Sequence, residues 1–147
     1  MPAYSFLDVN ASMVGPGGAI NLGNGSGASE EGITLEPLDD ADILTIGADG
    51  TPMHSLSANK AATVTVRLLK TSPVNQKLMA LFNVQRASAS LWGQNTISVV
   101  TTYGQDVTTC RSVAFKQKPV LTYAKDGGMN EWSFTAGLMD SALGAVN

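Results

Sequence analysis

The chain has 147 residues, 44% of them hydrophobic, with a formal net charge of −3, which is enough apolar material for one domain with a real core. It contains no apolar run of the roughly 18 residues a membrane helix needs, and its start, MPAYSFLDVN, has neither the basic region nor the apolar stretch of a secretory signal. A soluble protein with no membrane partner, made in the cytoplasm, is expected; the lone Cys110 excludes an intrachain disulfide and zinc sites built from cysteine pairs.

Tyr4 to Val14 reads as a first strand with Leu7, Val9, Ala11 and Met13 on one face, closed by the turn Gly15-Pro16-Gly17-Gly18 and a hairpin partner from Ala19 to Leu22. The stretch Gly23 to Gly32, GNGSGASEEG, carries four glycines and no bulky apolar group, so it is expected to be a flexible connection. Two short apolar runs follow, Ile33 to Leu38 and Asp42 to Ile46, separated by Asp39-Asp40 and ended by the turn Gly47 to Gly50; Thr51 to Ser57 is a further strand. From Ala62 to Leu68 the alternation of Ala62, Val64, Val66 and Leu68 with Thr63, Thr65 and Arg67 is that of a half-buried strand.

Ser72 and Pro73 then stop the strand and suit a helix start, the serine as cap and the proline at the first helical position, where its missing N–H costs nothing. A single helix is predicted over about 73–87, with Val74, Leu78, Leu81 and Phe82 on one stripe and Gln76, Lys77, Asn83 and Arg86 mostly off it. After Trp92 to Asn95, strands are predicted over Thr96 to Thr102 and Val107 to Lys118, with a hairpin tip at Gly104 to Asp106. Val120 to Ala124 and Glu131 to Leu138 flank Lys125-Asp126-Gly127-Gly128 and read as a hairpin whose second strand turns Trp132, Phe134, Ala136 and Leu138 inward. The expected core anchors are Leu78, Phe82, Trp132 and Phe134.

Charge is unevenly placed along the chain. Up to Asn59 there are eight acids (Asp8, Glu30, Glu31, Glu36, Asp39, Asp40, Asp42, Asp49) and no Lys or Arg. From Lys60 onward nine basic residues face four acids, Asp106, Asp126, Glu131 and Asp140. The two parts either neutralise each other within one subunit or face each other between subunits, where complementary charge fixes register and speeds encounter. Nucleic-acid binding by the whole protein would favour a basic excess instead.

Catalytic and metal chemistry find little purchase in this sequence. Any Ser-His-Asp or Cys-His arrangement must use the single His54, whose neighbours Met53 and Ser55 fall on the opposite face of a strand. Asp39-Asp40-Ala41-Asp42 offers oxygen ligands without the spacing of a calcium loop, and the glycine turns lack the Lys-Ser/Thr of a phosphate loop. A carboxylate pair such as Glu36 with Glu131 is selected by nothing in the spacing. No enzyme activity, cofactor or metal is expected.

A strand ending in Lys-Thr-Ser-Pro-Val-Asn before a leucine-bearing helix, preceded by GITLEP and GADGTPMHS and followed by NEWSF, resembles the tail tube proteins of contractile-tailed bacteriophages and their type VI secretion counterparts over nearly the whole chain. The resemblance implies a single domain, 1–147, mainly β, a sandwich or small barrel with one helix packed on it. It also implies hexameric rings stacked into a hollow tube, with sheath, baseplate and terminator proteins as partners and DNA passing through the lumen without specific binding. On that reading Glu30, Glu31, Asp39, Asp40, Asp42, Asp49, Lys60 and Lys125 are expected at contacts between subunits, and Glu36 and Glu131 face the lumen. Alternatives are another ring-forming tail component, a terminator or baseplate protein; a β-sandwich binding carbohydrate or surfaces through Tyr103, Trp92 and Trp132; and, lowest, a hydrolase using His54.

Overall fold

A computed structural model describes residues 8–22, 28–101, 106–121 and 123–143, the side chains of 28–31 excepted. Among these residues nine strands and one helix follow in chain order: β1 (Val9–Gly15), β2 (Gly18–Asn21), β3 (Ala28–Pro37), β4 (Asp42–Ile46), β5 (Pro52–Leu56), β6 (Ala62–Leu69), α1 (Val74–Arg86), β7 (Asn95–Thr101), β8 (Val107–Gln117) and β9 (Met129–Ala142). Seven strands form one sheet in the order β2-β1-β7-β8-β9-β6-β3, every neighbouring pair antiparallel, while β4 and β5 pair only with each other.

The core lies between one sheet face and α1. Alternation drives it: Val9, Ala11 and Met13 on β1, Ala62, Val64, Val66 and Leu68 on β6, and Trp132, Phe134 and Ala136 on β9 are all buried. Seven strands laid flat would span about 30 Å, roughly three helix diameters. Residues as far apart in the sheet as Ile20 on β2 and Val66 on β6 are nevertheless buried in one cluster with α1, as the twist of a sheet laid on a helix favours. Phe115 sits at the centre, with ring centroids 5.3 Å from Phe82, 5.0 Å from Phe134 and 6.1 Å from Trp132.

The helix is anchored at both ends. Ser72 Oγ accepts the Val74 N–H at 3.3 Å, and Asn75 Nδ2 donates to the Leu69 and Ser72 carbonyls at 2.9 and 3.2 Å. Asn75 Oδ1 in turn accepts the Trp132 indole N–H at 2.9 Å, which satisfies the one polar atom of a buried side chain. Val74, Leu78, Leu81 and Phe82 face the sheet together with Gln85, a polar residue on the apolar stripe. Its amide exchanges two 2.8 Å hydrogen bonds with Asn95 and donates to the Pro16 carbonyl at 3.1 Å; Asn95 donates onward to Val113 O at 3.0 Å. This buried pair joins α1 to β7, β8 and the β1–β2 turn. A β-carbon on Gly15 would lie 1.8 Å from Asn95 Oδ1, so glycine is required for the close approach.

Three expectations are corrected. Ala28 to Gly32, read as part of a flexible connection, extend β3, which pairs with β6 through a register shift between Ala28 and Ile33; residues 23–27 lie outside the described set. Val120 to Ala124 forms no strand among its described residues: β9 pairs with β8 and β6, two long neighbours that offer more ladder than a local hairpin. Leu138, expected inward, is 44% exposed. Opposite it on the chain, Ser112 has φ 53° and lies beside Gly137, whose missing β-carbon would stand 3.1 Å from the Ser112 β-carbon. There the buried residues switch from Val113 and Ala136 to Cys110 and Met139, and Leu138 turns to the outer face.

Candidate functional site

Among the described residues, three surfaces of this fold have no other element laid against them. The first is the pair of sheet edges, β2 and β3, which end the strand order at opposite sides and are different in length and sequence. An unpaired edge is a row of backbone donors and acceptors ready to pair with another chain.

The second surface is the sheet face away from α1. On β3, β6 and β9 it presents Thr34, Thr63, Thr65, Ser133 and Thr135, hydroxyl-rich positions aligned across the three strands. Arg67 is neutralised there, with Nε 3.4 Å from Glu131 Oε2 and an N–H to Thr34 Oγ1 at 2.9 Å. Glu36 lies on the same face, opposite Thr63, and both Glu36 and Glu131 are exposed. Thr63 and Arg67 are four residues apart on β6, about 13 Å, so the backbone positions of the two glutamates are well separated on this face.

The third is the β4–β5 hairpin. Every residue of both strands is exposed, including Ile43 at 62%, Met53 at 57% and Leu56 at 89%. Leu44, Ile46, Pro52 and Leu56 share one face of the ribbon with the Asp42–His54 pair, a mainly apolar surface left exposed among the described residues. A two-stranded ribbon is marginal alone. It is held at its base by Leu38 N–H to Ala61 O at 3.0 Å and Ser57 N–H to Ala41 O at 2.9 Å. Its tip is fixed by Asp49, which accepts the Thr51 N–H at 3.0 Å; the Thr51 side chain first, and this N–H second, hold the Asp49 carboxyl below its ordinary range.

The charged residues singled out by sequence distribute over these surfaces. Asp39 accepts from the Asn59 amide and Asp42 pairs with His54 Nδ1 at 2.7 Å, both at the hairpin, while Asp40 is exposed beside them. Lys60 reaches Asp140 at 3.3 Å, across to the end of β9, and Lys125 is exposed in the segment before β9. Glu30 and Glu31 lie in β3, with side chains outside the described set. Leu78, Phe82, Trp132 and Phe134 are buried at 0, 3, 1 and 0% exposure. Trp132 therefore cannot serve an aromatic platform with Trp92, and Tyr103 lies outside the described residues. Among the described residues no three His, Cys, Asp or Glu side chains converge, and no helix is long and apolar enough to cross a membrane. Cys110 is fully buried, and burial pushes its thiol up.

Sequence reasoning missed the hairpin as an arm, because its two strands alternate much as core strands do. The clue was composition: Asp42 and His54 interrupt an apolar ribbon only 15 residues long, between two turns.

A family model described as bacteriophage PhiTE tail tube protein matches residues 1–144. No curated protein matches. Among solved structures, the sheath-tube complex of an extracellular contractile injection system, PVC, in its extended state aligns at TM-score 0.62 with 12% identity, covering 96% of this chain and 92% of the other. The sheath/tube terminator of the same kind of system aligns at 0.63 with 13% identity, covering 97% and 98%. The tube-terminating cap of an anti-feeding prophage aligns at 0.56 with 9% identity, covering 97% and 92%. At these identities the likeness to solved structures is one of fold.

Proposed function

The chain belongs to the bacteriophage PhiTE tail tube protein family, and from that premise we propose that six copies close into a ring and that rings stack into the hollow tube through which phage DNA is delivered. It is a structural component of a phage tail, mainly β with one helix. The finer reading is a single tail-tube domain over the whole chain, synthesised in the host cytoplasm and incorporated into the virion.

The observation that carries the ring is that, among the described residues, one sheet ends in two unlike strands, β2 and β3. Pairing β2 of one copy with β3 of the next is a heterologous contact, which closes into a ring when the rotation per copy divides a full turn. Each closure removes two exposed edges. The β4–β5 hairpin, with Asp39, Asp40 and Asp49 around it, is assigned to the adjacent ring, where its exposed leucines and isoleucines become buried.

The hydroxyl-rich sheet face is assigned to the lumen. Its charges, Glu36 and Glu131 against Arg67, leave no basic excess on these three strands, and a channel that passes DNA must not bind phosphate. DNA then moves past an acidic and neutral wall without a specific site. The polar side of α1, Gln76, Lys77 and Asn83, faces outward, where a sheath of the kind seen around the PVC tube would lie, with baseplate and terminator proteins at the two ends. No catalysis, cofactor or metal enters this mechanism.

The likeness to tube terminators favours a second reading, a single ring that ends a tube. Electron microscopy of the concentrated, purified protein separates them. Hollow tubes of stacked rings support the tube; isolated rings that never stack support the terminator; monomers at every concentration contradict both.

A further inference from the structure

Beside the last turn of α1 lies a cleft of about 750 Å³ floored by Phe82, Trp92 and Phe115 and rimmed by Arg86, Lys116 and Lys118. Arg86 and Lys118 stand over the Phe82 ring, 5.7 and 5.6 Å from its centroid, and among the described residues no acidic side chain lines the cleft. Its size is that of sites which bury a compact apolar group. An apolar floor under three cations selects a partner that brings apolar side chains and negative charge together.

One segment of this chain has that composition. The β4–β5 hairpin exposes Leu44, Ile46 and Leu56 on one face, carries Asp42 and Asp49, and follows directly on Asp39 and Asp40 at its base, with His54 paired to Asp42. Up to Asn59 the chain holds no Lys or Arg, so the arm as a whole is acidic.

The two features also lie at different ends of the sheet. The hairpin's base is fixed beside Met139, whose N–H donates to Lys60 O at 2.9 Å, whereas the cleft begins at Phe115, the partner of Phe134 on β9. The five residue steps from Phe134 to Met139 span about 17 Å, and Lys116 to Lys118 continue further from the hairpin. No residue of the hairpin lines the cleft of its own subunit, and an arm at one end with a socket toward the other suits a head-to-tail repeat.

We propose that the aromatic cleft between α1 and β8 is the socket for the β4–β5 hairpin of a second copy in the adjacent ring. This rests on the tube reading and names its stacking contact. Apolar side chains of the arm enter over Phe82 and Trp92, while the carboxylates at its base and tip face Arg86, Lys116 and Lys118. Complementary charge fixes which end of a ring meets which, and like charge placed at the same contact opposes stacking.

Reciprocal charge reversal tests it in the full chain. Lys116→Glu with Lys118→Glu, and separately Asp39→Lys with Asp40→Lys, should each lower the sedimenting tube fraction by about tenfold at fixed protein concentration. All four changes in one chain should restore tubes, with thermal unfolding checking that every variant is folded. Tubes unaffected by either pair, or a fourfold variant no better than its parents, overturn the socket. Pocket variants that stack normally but no longer bind a purified sheath protein would assign the cleft to the sheath and likewise overturn it. If the unmodified protein forms neither rings nor tubes, it is the tube reading that fails, which the same micrographs show directly.

Discussion

Replacing Gln85 with Leu should destabilise the subunit through hydrogen bonds rather than volume. Leucine keeps the apolar part of the side chain, but it leaves Asn95 Oδ1 without its donor, one Asn95 N–H without its acceptor, and the Pro16 carbonyl without its donor. Gln85 and Asn95 are 0 and 1% exposed, so water cannot replace the two lost bonds on Asn95 without opening the core. At about 1 to 3 kcal/mol for each orphaned buried group, and with Pro16 half-open to solvent, the loss should be about 3 to 5 kcal/mol. Asn95→Ala should cost a similar amount, since it orphans Gln85 and Val113 O and leaves a small void. The two changes act on one bonded pair, so the double variant should be better than the sum of the singles by at least about 1.5 kcal/mol. Urea unfolding of the dispersed subunit, followed through the fluorescence of Trp132 and Trp92, measures all three. Losses that add within about 0.5 kcal/mol, or a Gln85→Leu cost under about 1 kcal/mol, would refute the reasoning.

Alanine at Trp132 or Phe134 should each cost about 3 to 5 kcal/mol by the same unfolding assay, because both rings are buried against Phe115. Cys110 should react negligibly with a thiol reagent in the native protein and rapidly in denaturant, since burial both shields the thiol and raises it away from the thiolate; fast native labelling would place β8 elsewhere. Leu44→Ser, Ile46→Ser and Leu56→Ser together should leave the subunit's unfolding midpoint nearly unchanged, these side chains being exposed, yet abolish stacking seen by electron microscopy. Asp39→Lys with Asp40→Lys, like raised salt, should shift tubes toward rings or monomers.

Local periodicity made much of this fold readable. The β6 alternation and the stripe of Val74, Leu78, Leu81 and Phe82 each occupy one face within a few residues, so neither needs distant partners to be recognised. Where a distant partner decides, the reading failed. Val120 and Leu121 have strand composition but stay exposed outside the sheet, because β9 pairs with β6 and β8. Gly137 inside a strand was a signal that the alternation could break there, and it does, exchanging Leu138 for Met139 on the core side. Gln85 fell on the helix stripe by spacing, and its burial follows from Asn95, ten residues away and on another element. The carboxylates Glu36 and Glu131 were readable as strand residues, but that they share the face opposite α1 depends on the β3-β6-β9 order, which no local pattern encodes.

The central claim is that β2 and β3 are completed by other copies of the same chain. Hydrogen exchange of assembled against dispersed protein measures this at the backbone: amides of Gly18–Asn21, Ala28–Pro37 and the β4–β5 hairpin should slow strongly on assembly, while those of β8 and β9, already paired on both sides, change little. Equal exchange at both edges in the two states, or a chain that stays solitary at millimolar concentration, would contradict the account.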